Sequence, residues 1–160
     1  MMVVMPRMFK KAMPAGRQGF TLIELLVVIG VLAILLTIVL VAINPARQFS
    51  QSNNTKRRSD INALLNGIHQ YAADNRGVLP AGITEVSQNI SDTAANLCAA
   101  LVPDYLAALP VDPLTNAGAS VTDCAAAYDT NYQVIKSATN NRITVTAGAA
   151  ELNEVISVTR

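Results

Sequence analysis

The carboxylate of Glu24 stands at the start of an apolar run, Leu25 to Ile43, that contains no charged side chain. A charge at mid-membrane costs roughly 2.5–3.5 kcal/mol on insertion scales, so a carboxylate beside such a run needs a partner or a use. The other groups capable of chemistry are sparse. Cys98 and Cys124 are the only cysteines, and they lack the neighbours of a structural zinc site. His69, the single histidine, has no cysteine or carboxylate at a metal-ligand spacing and reads as a helix-surface or partly packed residue. Asp112, Asp123 and Asp129 form a loose acidic cluster whose spacing does not match an EF-hand. There is no Gly-rich phosphate loop, no histidine beside a nucleophile and no carboxylate pair in a recognisable motif. No catalytic residue and no metal ligand is therefore assigned, and an enzyme is not predicted.

The element that positions Glu24 is a helix. At about 1.5 Å of rise per residue the run to Ile43 roughly matches the ~30 Å hydrocarbon core of a bilayer. A helix start also favours an anion, because its unpaired N–H groups carry partial positive charge.

Gly19, then Phe20-Thr21-Leu22-Ile23-Glu24 and the Leu/Val/Ile run, resemble the class III signal of type IV pilins and type II secretion pseudopilins. The resemblance implies that a prepilin peptidase cuts after Gly19 on the cytoplasmic side and N-methylates Phe20. The free α-amino group so made has an unperturbed pKa of about 7.7–8.0 and is mostly cationic at neutral pH. Glu24 is then expected to pair with the Phe20 amine of a neighbouring subunit and to set the axial register of a helical filament. An ordinary single-pass anchor whose carboxylate snorkels to the interface uses the same residues differently.

Residues 1–19 read as a cleaved leader, with four basic residues and no acidic one. Met1, Met2, Met5, Met8 and Met13 are all usable starts, so the leader length is open while the processing site is not. A conventional secretory signal fits poorly, because the apolar run exceeds the ~7–15 residues of an h-region. Four of the 12 basic residues, Arg7, Lys10, Lys11 and Arg17, precede Phe20, so the rest of the chain holds eight basic against 11 acidic residues, a formal −3. That balance predicts no nucleic-acid partner directly. Arg47, Lys56, Arg57 and Arg58 nearly offset the leader under the positive-inside rule. The family resemblance places the leader inside and the residues after Ile43 outside.

The expected fold is α+β, a pilin-like lollipop: a long kinked N-terminal helix, its first half membrane-spanning, packed on a small antiparallel sheet. Residues 20–43 form the transmembrane and filament-core half, residues 44–76 the amphipathic half, and residues 77–160 the globular head. Pro45 predicts a kink or a locally opened helix. Ile61, Leu64, Leu65, Ile68 and Ala72 fall on one helical face, with Arg57, Arg58, Asp60, Asn62 and Gln70 as polar surface. Gly77 and Pro80 then stop the helix. Lys56-Arg57-Arg58 reads as a solvated face or an intersubunit charge pair, with an anionic lipid or nucleic acid as the other reading.

In the head, Ser91 or Asp92 is expected to cap a short helix reaching Leu101, ended by Val102-Pro103. Residues Tyr105-Leu106 and Leu109-Pro110-Val111-Asp112-Pro113 resemble a major-pseudopilin loop, with Leu114 where that family usually has an aromatic. Asp112 is expected to close a turn on its own backbone. No cofactor is called for otherwise, but Asp112, Asp123 and Asp129 lie where major pseudopilins bind calcium, so calcium ligands and ordinary turn aspartates are their two readings. Strands are predicted over 132–136, 142–146 and 155–159, the first two joined by a turn at Thr139-Asn140-Asn141. In an extracytoplasmic head, Cys98 and Cys124 read as a disulfide tying the short helix to the proline-rich loop, with two free thiols as the alternative.

The function implied is a structural subunit that polymerises with other copies and with minor pilins. Prepilin peptidase and an inner-membrane assembly platform are its other partners. The chain would be a single-pass membrane protein before assembly and then part of an extracellular or periplasmic filament. A membrane-anchored extracellular binding module that never polymerises is the competing reading. Nothing in the residues separates a pilus from a secretion pseudopilus or a DNA-uptake filament.

Overall fold

The computed structural model describes residues 19–160, so the leader lies outside the described residues except for Gly19. Two compact units are present, the first ending at Ile43 and the second running from Asn44 to Arg160.

The first unit holds helix α1, Leu22–Ile43, in which every residue is exposed. Leu, Ile and Val surround it on all sides, so it has no polar face to give to water. Thr37 is its only hydroxyl residue, and its Oγ1 donates to the Ala33 carbonyl at 2.9 Å, which leaves that group satisfied within the helix. In hydrocarbon, where no water competes, such internal satisfaction is required.

Helix α2, Pro45–Asp74, opens the second unit. The helix opens locally at Asn44, as expected from Pro45, so the run from Phe20 to about Arg76 is divided into α1 and α2. Asn44 is left-handed, at φ 47° and ψ 79°, and its Oδ1 accepts the Arg47 N–H at 3.3 Å. The cause is Pro45, which has no N–H to donate and disfavours the helical conformation in the residue before it. Proline is instead well placed as the first residue of a new helix. At the other end Arg76 is left-handed and the Gly77 N–H reaches back to the Ala72 carbonyl at 2.7 Å, a Schellman closure.

A four-stranded antiparallel sheet in the order β1-β2-β3-β4 completes the α+β fold: β1 Gln88–Ser91, β2 Asp129–Lys136, β3 Ile143–Ala147 and β4 Ile156–Thr159. The three predicted strands are present, and β2 and β3 pair from Tyr132 with Ala147 to Lys136 with Ile143 around the expected turn. Strand β1 was not predicted. Gln88-Asn89-Ile90-Ser91 holds one apolar residue and no alternation, and pairing with β2 at the sheet edge makes it a strand.

The stripe Ile61, Leu64, Leu65 and Ile68 of α2 is buried on Tyr132, Val134, Ile143, Val145, Ala147 and Ile156 of the sheet. Helix and sheet thus each cover the other's apolar face. The expected helix from Ser91 or Asp92 is shorter than predicted: α3 spans only Cys98–Leu101. Ser91 ends β1, and the Asp92 and Ala95 N–H groups bond to Tyr128 and Asn89 carbonyls, so the intervening segment is held as turns. Leu97 and Leu101 are buried as the pattern required.

The proline-bearing loop after α3 lies on α2. Tyr105 meets Tyr71 edge to face at 5.7 Å between ring centres. Leu106 packs on Gly67, where an added Cβ would sit 3.1 Å from the Leu106 Cγ. This contact delivers Asp112 to the flank of α2.

Candidate functional site

Gly19 and Phe20 are exposed and precede the helix, and Phe20 is 84% exposed. Thr21 caps α1: its Oγ1 accepts the Glu24 N–H at 3.2 Å. Glu24 is therefore the third residue of the helix, in the Thr-x-x-Glu spacing of a capping box. That signature is legible at residues 21–24, yet Thr21 was not singled out from the sequence. Its effect is to fix the carboxylate in the first turn, where the unpaired N–H groups and the helix dipole favour negative charge. Glu24 is the only ionisable group in α1.

The second constellation lies in the other unit and centres on Arg57. Reading this residue as surface is incorrect, because it is wholly buried. Its Nε donates to Asp112 Oδ2 at 2.6 Å and its Nη2 to Asp112 Oδ1 at 3.1 Å, a two-pronged pair. Nη1 donates to Asn54 Oδ1 at 2.9 Å and to Glu151 Oε2 at 2.8 Å. Glu151 in turn accepts from Ser50 Oγ and Asn53 Nδ2, each at 2.9 Å, and its backbone carbonyl accepts from Asn54 Nδ2 at 2.8 Å. One arginine thus holds the proline loop and the β3–β4 connection to α2.

Burial pulls the Arg57 guanidinium down, and the hydrogen bonds of Asp112 and Glu151 outweigh it, so its pKa is raised. Glu151 is held below its ordinary value by Arg57 first, then by Asn53 and Ser50. The Tyr132 hydroxyl, pushed up by burial and by its 2.8 Å bond to Asp60, stays protonated. These are groups whose charge state is locked by their partners, an arrangement suited to holding structure rather than moving protons.

The three basic neighbours on α2 have separate fates. Lys56 pairs with Asp60 at 2.8 Å and donates to the Val111 carbonyl, and Arg58 pairs with Glu154. Within this unit they do not form a common anion-binding face.

The acidic cluster is brought together only in part, since Asp123 and Asp129 line one cleft and Asp112 lies apart from them on Arg57. Asp112 is buried on Arg57 and also accepts the Leu114 N–H at 2.9 Å, the turn closure expected of it. Asp123 and Asp129 are exposed, and each closes its own turn by accepting the N–H two residues on, from Ala125 at 2.9 Å and Asn131 at 2.8 Å. His69 is partly buried, with Nε2 lacking a hydrogen-bond partner among the described residues.

Cys98 and Cys124 form a disulfide with a Cα–Cα distance of 5.4 Å. It joins the first residue of α3 to the segment leading into β2, not to the proline-rich loop. Leu109 and Val121 pair as a short bridge between those two segments, so the loop is tied by backbone hydrogen bonds instead.

Residues 14–40 match the prokaryotic N-terminal methylation motif, which covers Gly19, Phe20, Glu24 and most of α1 and leaves the head outside the match. No curated protein and no solved structure matched the chain. The methylation motif at residues 14–40, which takes in most of the one long apolar helix, together with the α+β head, supports a pilin-like or pseudopilin-like chain of the kind that carries a prepilin peptidase signal.

Proposed function

We propose that this chain is a structural subunit of a type IV pilus-like or type II secretion filament, polymerised through α1. The observation that carries the reading is Glu24, the single ionisable group of a 22-residue apolar helix and fixed in its first turn by Thr21. Prepilin peptidase cleaves between Gly19 and Phe20 and methylates the new amine. Before assembly α1 spans the inner membrane, with the leader cytoplasmic and the head extracytoplasmic. The assembly platform then moves the subunit into a filament with other copies and minor pilins.

In the filament the Leu, Ile and Val side chains that cover α1 on every side pack against other copies. A bare membrane anchor needs the same apolar surface but has no use for a carboxylate inside it. The Phe20 amine of a neighbouring copy satisfies Glu24, and a copy out of register leaves both charges without partners in a medium of low dielectric.

The direct test is the intact mass and N-terminal sequence of the protein from cells with and without active prepilin peptidase. A chain beginning at Phe20 with one added methyl group, seen only with the peptidase, is the expected result. An uncut chain, or one cut beyond Ile43, overturns the proposal.

A further inference from the structure

Among the described residues from Asn44 onward, Phe49 is the one exposed aromatic side chain, at 71% exposure, whereas Tyr71, Tyr105, Tyr128 and Tyr132 lie in or against the core. Helix α2 turns Ser50, Asn53, Asn54 and Arg57 toward Glu151 and Asp112. Phe49, about 100° around the helix from Ser50, falls off that stripe. Two residues earlier, Arg47 is also exposed and is in no ion pair among the described residues. No acidic side chain occurs from Leu25 to Ser59. The first turns of α2 thus offer an aromatic ring and one unpaired cation, with no anion beside them in the chain.

Their distance from the end of α1 is fixed by the chain. A helix end leaves carbonyls without intrahelical partners, and hydrocarbon has nothing to satisfy them with. The left-handed Asn44 therefore marks the level at which a membrane-spanning α1 leaves the hydrocarbon. One peptide step and four helical residues keep the Phe49 Cα within about 10 Å of Asn44, whatever direction α2 takes from there. A bilayer with a ~30 Å core and 40–45 Å in all has a headgroup layer of roughly 5–7 Å on each side. Helical side chains lean toward the N-terminal end of their helix, and in α2 that is the end joined to α1.

We propose that Phe49 and Arg47 are an interfacial anchor: the phenyl ring enters the headgroup layer of the membrane that α1 spans, and the Arg47 guanidinium pairs with a lipid phosphate. The occupant of this surface is lipid because the chain enters the bilayer five residues before Phe49. Aromatic rings gather at that depth in membrane proteins, and arginine forms paired hydrogen bonds with phosphate. The proposal rests on the reading of α1 as a membrane span. It holds the start of α2 at the surface while the subunit waits in the membrane, and extraction into a filament must lift Phe49 out of the headgroups.

The chain contains no tryptophan, so single-tryptophan variants of the full-length protein report one position each. The measurement is tryptophan emission in vesicles of phosphatidylethanolamine and phosphatidylglycerol whose acyl chains are brominated either near the headgroup or near the bilayer centre. F49W should be quenched about twofold or more by the shallow bromines and less by the deep ones, as a site beside the ~30 Å core requires. L35W, in the middle of α1, should show the opposite order, and V86W, on the exposed segment before β1, should be quenched by neither. Adding R47E to F49W should weaken the shallow quenching; unchanged quenching would remove Arg47 from the anchor. If L35W is quenched and F49W is not, the anchor is overturned and Phe49 is left to a second copy of the chain. If L35W escapes quenching as well, the membrane-span reading falls and the anchor falls with it.

Discussion

Arg57 and Asp112 are 55 residues apart in sequence and meet through two hydrogen bonds, with both side chains wholly excluded from solvent. A buried ion pair of this kind is no more stabilising than well-packed apolar residues of the same volume, because both charges lose their hydration. Breaking it from one side is costly. Its contribution here is geometric: Asp112 and Glu151 come from distant loops, and only one placement of both satisfies the same guanidinium.

Arg57→Met should therefore destabilise the head by about 3–5 kcal/mol, since it leaves Asp112 buried without its partner. Thermal or urea unfolding of the purified protein in detergent measures this. R57M/D112L should recover part of the loss but not all, because Asp112 also holds the Leu114 N–H. A double variant less stable than R57M would mean that the charge left behind is not the source of the cost.

Acid sensitivity follows from Glu151. Its folded value lies below its ordinary 4.5 through Arg57, Asn53 and Ser50. A carboxylate lowered by folding adds stability that is complete above its unfolded value and is lost as the pH falls through the folded one. The melting temperature of the unchanged protein should thus drop below about pH 4.5 more steeply than that of Glu151→Gln, which has no proton to gain there. Parallel curves from pH 7 to pH 3 would assign the acid loss to other carboxylates.

Replacing Cys98 and Cys124 by alanine should cost about 3.5 kcal/mol in the chain-entropy treatment of a loop of this length. The sequence separation is 26 residues. A reductant-dependent fall in melting temperature, absent from the double-alanine protein, is the check. The peptide containing Tyr128 should lose protease resistance first, because its hydroxyl accepts the Cys98 N–H.

Glu24→Ala should leave membrane insertion and cleavage intact and reduce filament yield at least tenfold, while Thr21→Ala should have a milder effect. Loss of a threonine cap costs a helix only about 1 kcal/mol, whereas loss of Glu24 removes the only charge on α1 that could fix register. Fractionation, N-terminal sequencing and shearing of the same cells separate insertion, processing and assembly. Normal yield from Glu24→Ala would end the register role.

Local chemistry determined much of this protein. The methylation motif at residues 14–40 is a contiguous string, so it was legible without a fold. The apolar run and Pro45 set α1 and the end of its helix, because hydropathy and a missing N–H act within a turn or two. The stripe Ile61, Leu64, Leu65 and Ile68 and the alternation in β2, β3 and β4 showed which faces are buried.

Tertiary structure decided what depends on residues far apart in the chain. Strand β1 exists because β2 offers it an edge, and the helix expected from Ser91 gave way to the hydrogen bonds of Asn89 and Tyr128. Arg57 read as surface because arginine on an amphipathic helix usually is. Its burial required a carboxylate 55 residues away and another 94 residues away to arrive on the same side of α2. Charge neutralisation between such distant groups leaves no local pattern, so it becomes visible only when the chain has folded.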